Sequence, residues 1–387
     1  MHMLQRVINQ LKKINTKIRP YIVCLILSSG RKNCASMARS VGISPKSLYA
    51  FLTQAQMYSK EIQNYLFECA NKTRIEGVLR ALVIDPTALI KRYAQLMEKL
   101  CHDKAGSTKN VERCLVPLYA SVVDKNIKIP ISLDFWVQEK IIGKKKYKSK
   151  REIARDLISS LKNMGLKFDF VSLDGAFPFD DMFVFFENEV CDFSMRISKT
   201  RCITTEDGVR FQLQFHPKLK LHRNVREKTI KAKLNNGREY YFTAQKRKNK
   251  NHEWEVVYIV SNMNLPAKEQ IAAFDQRWPQ EKINRTTKQK FGAEHCQALE
   301  ASKQKAHILA GFLAHTILET SFYDKQTKNV DELVNFIREY HFNDLKELLP
   351  CSKKRRNNQK RDEIEKRFPN LFQNFSKNTA EFDHFFY

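Results

Sequence analysis

The sequence predicts an α/β protein in which an all-α region precedes a core of strands and helices. The first observation is a change near Val78 from helical hydrophobic spacing to short apolar runs of strand length. The second is that two of these runs end in an aspartate. A length of 387 residues with 42% hydrophobic side chains is enough for two or three domains.

Residues 1–77 predict a helical region with a helix-turn-helix. A short helix over Cys34–Val41 precedes a turn at 42–44, and Ser44 with Pro45 forms the N-cap and first turn of a second helix that continues to about Leu52. The residues near the exposed start of that helix, and so the predicted DNA contacts, are Lys46, Ser47 and Tyr49. Any three-helix bundle has a similar pattern, so this alternative stays open.

The elements after Val78 follow a recognisable order. The predicted strands are Leu82–Ile84, Leu115–Val123, Lys128–Val137, Phe168–Leu173 and Asp192–Ile203. A helical stretch is expected between the first two strands, a helix opened by a Ser149/Glu152 capping box ends at Gly165, and another spans Asp180–Val190. Three strands, helix, strand, helix, strand is the order of a ribonuclease H-like fold. We assign this catalytic domain to 78–203 and 263–330.

Asp85 and Asp174 end the first and fourth predicted strands. These strands lie side by side in a ribonuclease H-like sheet, so the two carboxylates are expected at one sheet edge. Taken singly, each has an ordinary alternative: Asp85 as a helix N-cap before Pro86, and Asp174 as a turn residue before Gly175.

A helix from Lys268 to Trp278 is expected to kink or restart at Pro279. Phe274, Arg277, Glu281 and Lys288 follow one another at offsets of three, four and seven, which places them on one helical stripe. A carboxylate flanked by two cations and an aromatic suits a phosphate backbone better than a core. As an alternative, Arg277 and Lys288 form a solvated face with Glu281.

These residues resemble the Tyr-Arg-Glu-Lys signature of the DDE transposases of bacterial insertion sequences, in the fourth of their numbered families. Phe274 stands where that pattern has tyrosine. The resemblance implies that Arg277 and Lys288 hold phosphates of the element end, and it extends the predicted DNA contacts to Phe274. It also implies a hairpin route of cleavage and a homodimer in the synaptic complex.

The resemblance further implies an inserted β subdomain, which we place at 204–262. Predicted strands there are Phe211–Phe215, Arg238–Ala244 and Glu253–Val260, with a turn at 235–237. Residues 331–387 are predicted to form a helical, basic C-terminal region.

Two strand-end aspartates and one helix glutamate are the ligand set of a two-metal phosphoryl-transfer site. We expect Asp85 to bridge two Mg²⁺ ions, Asp174 to bind one and Glu281 the other, with Mn²⁺ as a substitute. Mg²⁺ prefers such hard oxygen ligands, and the carboxylates would repel one another without cations between them.

Composition indicates the partner and the compartment. The formal net charge of +26 indicates a polyanion, here duplex DNA. Nine dispersed cysteines indicate reduced thiols in a cytosol. With DNA as the partner, the protein is expected to be cytoplasmic and associated with the bacterial nucleoid. The apolar stretches Tyr21–Leu27 and Ala306–Leu318 are interpreted as core helices, so no membrane is expected.

The sequence thus predicts a metal-dependent transposase that binds element ends, cleaves DNA and joins 3′-hydroxyl ends to target DNA. One alternative is an inactive DNA-binding descendant of such an enzyme. Another is a basic RNA-associated protein, which would leave the three acids without a role.

Overall fold

The computed structural model describes residues 2–106, 108–249, 251–321 and 329–350. The helices in chain order are α1 His2–Lys13, α2 Arg19–Leu27, α3 Cys34–Val41, α4 Pro45–Thr53, α5 Ala55–Lys72, α6 Glu139–Ile142, α7 Lys150–Asn163, α8 Asp180–Asn188, α9 Ala267–Asp275, α10 Trp278–Gln289, α11 Ala301–Ser321, α12 Val330–Tyr340 and α13 Phe342–Lys346.

The strands in chain order are β1 Ala81–Pro86, β2 Leu89–Ile90, β3 Cys101–Lys104, β4 Val111–Val123, β5 Lys128–Trp136, β6 Phe170–Leu173, β7 Asp192–Ile197, β8 Cys202–Thr204, β9 Arg210–Gln212, β10 Glu227–Lys233, β11 Glu239–Lys248 and β12 Trp254–Ser261.

The strands form one large mixed sheet. Its central part runs β5-β4-β1-β6-β7, in which β1 pairs with β6 in parallel, β6 with β7 in parallel, and β4 antiparallel with both β1 and β5. The predicted adjacency of the first and fourth core strands is therefore confirmed. This mixed sheet with its helices is compatible with a DDE, ribonuclease H-like core.

The sheet is covered on both faces because its strands alternate between two cores. Along β1, Leu82 and Ile84 pack into the core that holds α7 and α8, whereas Ala81 and Val83 pack with Phe170 of β6 and Ala273 of α9. Alternation with a period of two assigns each side chain to a face. It therefore also decides toward which helices the last residue of each strand is directed.

The N-terminal helices share a hydrophobic core with the rest of the chain. Buried side chains of α1 to α5 form one cluster with those of α11 and α12, and Tyr119 of β4 and Leu133 of β5 belong to it. Tyr119 meets Phe312 of α11 edge to face at 4.8 Å between ring centroids. Residues 2–72 are thus packed onto the sheet through α11 and directly through α5.

The predicted capping box is present at α7, where the Ser149 side chain accepts from the Glu152 amide and the Glu152 carboxylate accepts from the Ser149 amide. At the predicted turn between α3 and α4, Gly42 is left-handed, with φ of 76°. Ser44 caps α4 and Pro45 lies in its first turn. The local chemistry read from the sequence determines these boundaries.

Three expectations are corrected. The helical stretch expected between β1 and β4 is wrong, since the described residues of 87–110 form turns and the short strands β2 and β3, which pair with β4. The strand expected over Asp192–Ile203 is broken between β7 and β8. The strand expected over Phe211–Phe215 ends at Gln212, after which a 3-10 turn begins.

Strands β9 to β12 lie within the predicted insertion at 204–262 and extend the central sheet, because β12 pairs antiparallel with β7. Strand β8 begins at Cys202, within the predicted core domain. The turn at 235–237 joins β10 to β11, with Gly237 at φ of 78°. Strand β10 had no counterpart among the predicted strands.

The eight cysteines in the described part of the chain are free thiols. Across the same residues, no helix combines the length and apolar character needed to cross a bilayer. Residues 351–387, which make up most of the predicted C-terminal region, lie outside the described residues.

Candidate active site at the β1–β6 edge

Asp85 and Asp174 follow equivalent positions of two parallel strands. Ile84 of β1 is paired with Leu173 of β6, so each aspartate is one residue beyond this pair. Neighbouring strands lie about 4.8 Å apart. Strand alternation directs both side chains away from the α7 and α8 core, to the face covered by α9 and α10.

Helix α10 brings the third predicted acid to this face. The chain restarts as a helix at Trp278 with Pro279 in the first turn, which agrees with the expected break. Arg277, at the N-cap position, has its Nη1 4.0 Å from Asp85 Oδ1 and its Nη2 3.6 Å from Glu281 Oε1. The Arg277 side chain thus connects the carboxylate on the strand with the one on the helix.

The electrostatics of Asp85 reflect this crowding. The pKa of Asp85 is raised from 3.8 to about 6, chiefly by burial. The charges of Asp174 and Glu281 also act to raise it, while Arg277 and the hydrogen bond from Asn284 act to lower it. The charges of both other acids of the predicted triad therefore act on Asp85.

Two buried amides on α10 contact this site and were missed by sequence reasoning. Asn284 Nδ2 donates to Asp85 Oδ2 at 2.8 Å, and Gln280 Nε2 donates to Asn284 Oδ1 at 2.9 Å. Their spacing of four residues, adjacent to Glu281, was a signal that both share the stripe of the predicted site.

Lys288 lies at the other end of the same stripe. Its Nζ donates to the Ala88 carbonyl at 2.7 Å. Burial lowers the pKa of Lys288, whereas Glu294 and Asp85 raise it. The ammonium group is therefore half-buried beside the sheet edge that carries Asp85 and Asp174, which we call the acidic edge.

The expectation that Phe274 contacts DNA disagrees with its position. Phe274 is 1% exposed and packs with Ile259 and Ile271. Its ring lies 5.7 Å from the Arg277 guanidinium carbon, and the ring of the partly exposed Trp278 lies 5.2 Å from the same carbon. The Phe274 ring packs near the Arg277 guanidinium, and almost none of its surface is exposed for contact with a partner.

The predicted helix-turn-helix residues lie on a different helix. Lys46 and Tyr49 are exposed on α4, and Ser47 Oγ donates to the Ser44 carbonyl at 2.8 Å. Helix α4 packs against α2, α5 and α11. These residues therefore lie on an element that carries none of the three acids.

The three acids supply hard oxygen donors, which is the chemistry that Mg²⁺ prefers. Burial is the main cause of the raised pKa of Asp85 and the charges of Asp174 and Glu281 add to it, so a cation at this edge would favour the ionised carboxylate. Across the residues that the structure describes, however, no group of three or more histidine, cysteine, aspartate and glutamate side chains is already arranged to hold a metal ion. The donor types fit a metal, while Arg277 supplies the positive charge between Asp85 and Glu281.

The fold is compatible with the class of DDE-type nucleases, and comparison with known families shows this class. Residues 7–207 match the family model described as DDE superfamily endonuclease, and residues 139–317 match the one described as transposase DDE domain. The first match covers more than half of the chain, which therefore belongs to the DDE superfamily endonucleases, with the domain of a DDE transposase. Asp85 lies in the first matched range, Glu281 in the second and Asp174 in both. A comparison with curated proteins gave no match.

Proposed function

We propose that this protein is the transposase of a bacterial insertion sequence of the fourth numbered family. In this role it binds the ends of its element, cleaves DNA there and joins the 3′-hydroxyl ends to target DNA. The observation that carries the proposal is the placement of Asp85 and Asp174 at equivalent ends of parallel strands, with Glu281 linked to Asp85 through Arg277.

Asp85, Asp174 and Glu281 would hold Mg²⁺, or Mn²⁺ in its place. When bound, a pair of such ions activates the attacking oxygen and stabilises the leaving one. The chain's own residues prepare this edge. The β1–β6 pairing fixes the two aspartates, and Asn284 orients Asp85.

Arg277 and Lys288 are proposed to bind phosphates of the element end beside the acids. A guanidinium can hold a phosphate with two parallel hydrogen bonds. Arg277 is already supported by the rings of Phe274 and Trp278, and Lys288 by the Ala88 carbonyl. We propose that a DNA phosphate replaces part of the present carboxylate contact of Arg277.

The α3–α4 pair is proposed to be a helix-turn-helix that reads the element end. Support comes from the left-handed Gly42 in the turn and the exposed Lys46 and Tyr49 at the start of α4. Residues 204–262, with strands β9 to β12, are proposed to be the inserted subdomain of this family, which extends the sheet and offers a second basic surface. Synapsis by a homodimer and cleavage through a hairpin belong to the same proposal, as does localisation to the bacterial nucleoid.

A joining assay tests this function. The full chain is incubated with DNA that carries the sequences flanking its own gene, with a supercoiled target plasmid and with Mg²⁺. We expect new 3′ joints between the flanking ends and the plasmid, and none in EDTA.

Two other outcomes are informative. Specific binding of the ends without cleavage in Mg²⁺ or Mn²⁺ would favour the inactive descendant. Preference for RNA over duplex DNA in competition would contradict the proposal as a whole.

A further inference from the structure

Helix α10 buries two amide side chains in a row against the acidic edge. Gln280 is fully buried and Asn284 is 8% exposed. Burying an amide costs free energy unless its hydrogen bonds are replaced. Gln280 Oε1 nonetheless has no hydrogen-bond partner among the described residues. Burying this pair therefore costs free energy on a helix face that apolar residues could fill.

The hydrogen bonds of this pair fix the orientation of both amides. Asn284 Oδ1 accepts from Gln280 Nε2, so the amide nitrogen of Asn284 must point the other way, toward Asp85. An amide nitrogen can only donate, and an ionised carboxylate can only accept. The chain Gln280 to Asn284 to Asp85 therefore runs in one direction.

This directionality acts on the two oxygens of Asp85 differently. Oδ2 accepts from Asn284 at 2.8 Å, whereas Oδ1 is directed to Arg277 at 4.0 Å. Holding one oxygen prevents rotation of the carboxylate and keeps the other presented to the site. Hydrogen bonds of this kind orient metal-binding carboxylates, and their loss typically lowers metal affinity about 10–100-fold.

We propose that Asn284 is a positioning residue for Asp85 and that Gln280 sets the direction of its amide. The inference rests on the proposed function, since it assigns Asn284 a role toward the metal that Asp85 would bind. It also explains why two buried amides, and not leucines, occupy this face of α10.

The test measures the affinity of the full, DNA-free chain for Mn²⁺, with the concentration of free ion determined by electron paramagnetic resonance. Thermal melting of each variant is measured in parallel to show that it folds. Asn284→Leu keeps the side-chain shape and removes the donor. Gln280→Met keeps the length of its side chain and removes only the group that orients Asn284. Gln289→Leu, an exposed amide on the same helix, is the matched control.

We expect Asn284→Leu to weaken Mn²⁺ binding about 10–100-fold, Gln280→Met to weaken it less, and Gln289→Leu to bind like the wild type. Wild-type Mn²⁺ affinity in a folded Asn284→Leu variant, with only its melting temperature lowered, would overturn the inference and leave the proposed function intact. If Asn284→Leu does not fold, unchanged affinity in Gln280→Met overturns it equally. Absence of Mn²⁺ binding by the wild type would overturn the proposed function as well.

Discussion

Replacing Asp85 by asparagine should stabilise the metal-free protein, and more so at high pH. The pKa of Asp85 is raised from 3.8 to about 6, chiefly by burial. Between these values the folded chain holds a proton that the unfolded chain has released, so stability falls as the pH rises from about 4 to 6. Asparagine cannot ionise, and Asp85→Asn removes this loss.

The size of the effect follows from the two pKa values. A tenfold change in proton affinity corresponds to about 1.4 kcal/mol, so ionised Asp85 costs at most about 3 kcal/mol at pH 8 and about half of that at pH 5. The side chain is only 15% exposed, which limits screening by solvent. For a chain of 387 residues, this corresponds to a gain in melting temperature of about 4 °C at pH 8 and about 2 °C at pH 5.

The assay is thermal melting of wild type and Asp85→Asn in EDTA across pH 5 to 8. The control is Asp156→Asn, which removes an exposed carboxylate paired with Lys148 on the surface. A melting-temperature difference between wild type and Asp85→Asn that does not grow with pH would refute the reasoning, as would a similar growth in the control.

Three further results are expected. Arg277→Ala and Lys288→Ala should each lower the slope of log DNA affinity against log salt concentration by about one unit, since each removes one phosphate contact. Unchanged slopes in filter binding would mean that both cations contact only other residues of the protein. The double variant Lys46→Ala, Tyr49→Ala should show a reduced preference for the element ends in footprinting, while it still nicks unrelated plasmid. A retained preference would indicate that the insertion recognises the element ends. Gly292→Ala should destabilise the fold by roughly 1–3 kcal/mol in denaturant unfolding, because φ is 63° and a Cβ would lie 2.3 Å from a neighbouring side-chain carbon; wild-type stability would show that this loop relaxes freely.

The acidic edge could be predicted because each part has a local signal. Apolar runs ending in Asp85 and Asp174 mark the ends of buried strands, and the order of elements makes those strands neighbours. The break before Glu281 was visible in Pro279, which fits only the first turn of a helix.

Other features depend on contacts that a local pattern does not contain. Residues after Thr87 have helical spacing but do not form a helix. The Lys91 amide donates to the Arg113 carbonyl of β4, and the Ile90 amide donates to Glu294 Oε1, so these backbone groups are bonded outside the stretch. Strand β10 was missed because Ile230 is its only large apolar residue and the rest of Glu227–Lys233 is charged or small, so its hydrophobic pattern is weak.

The roles of Phe274 and Asn284 also required tertiary information. Spacing placed Phe274 on the active stripe, but packing against Ile259 and Ile271 buries it. The spacing of Asn284 places it on the same stripe of α10, but the positioning role that we propose depends on its hydrogen bond to Asp85, which the sequence does not show.

The most direct test of the central claim is Mg²⁺-dependent nicking of supercoiled plasmid by the full chain and by Asp85→Asn, Asp174→Asn and Glu281→Gln, with DNA binding measured in parallel. The account predicts that the wild type nicks, that each variant falls to the EDTA background, and that all four bind DNA with similar affinity. Nicking near the wild-type rate by any of the three folded variants would contradict the assignment of that residue. Near-normal nicking by all three would contradict the placement of the active site at the β1–β6 edge.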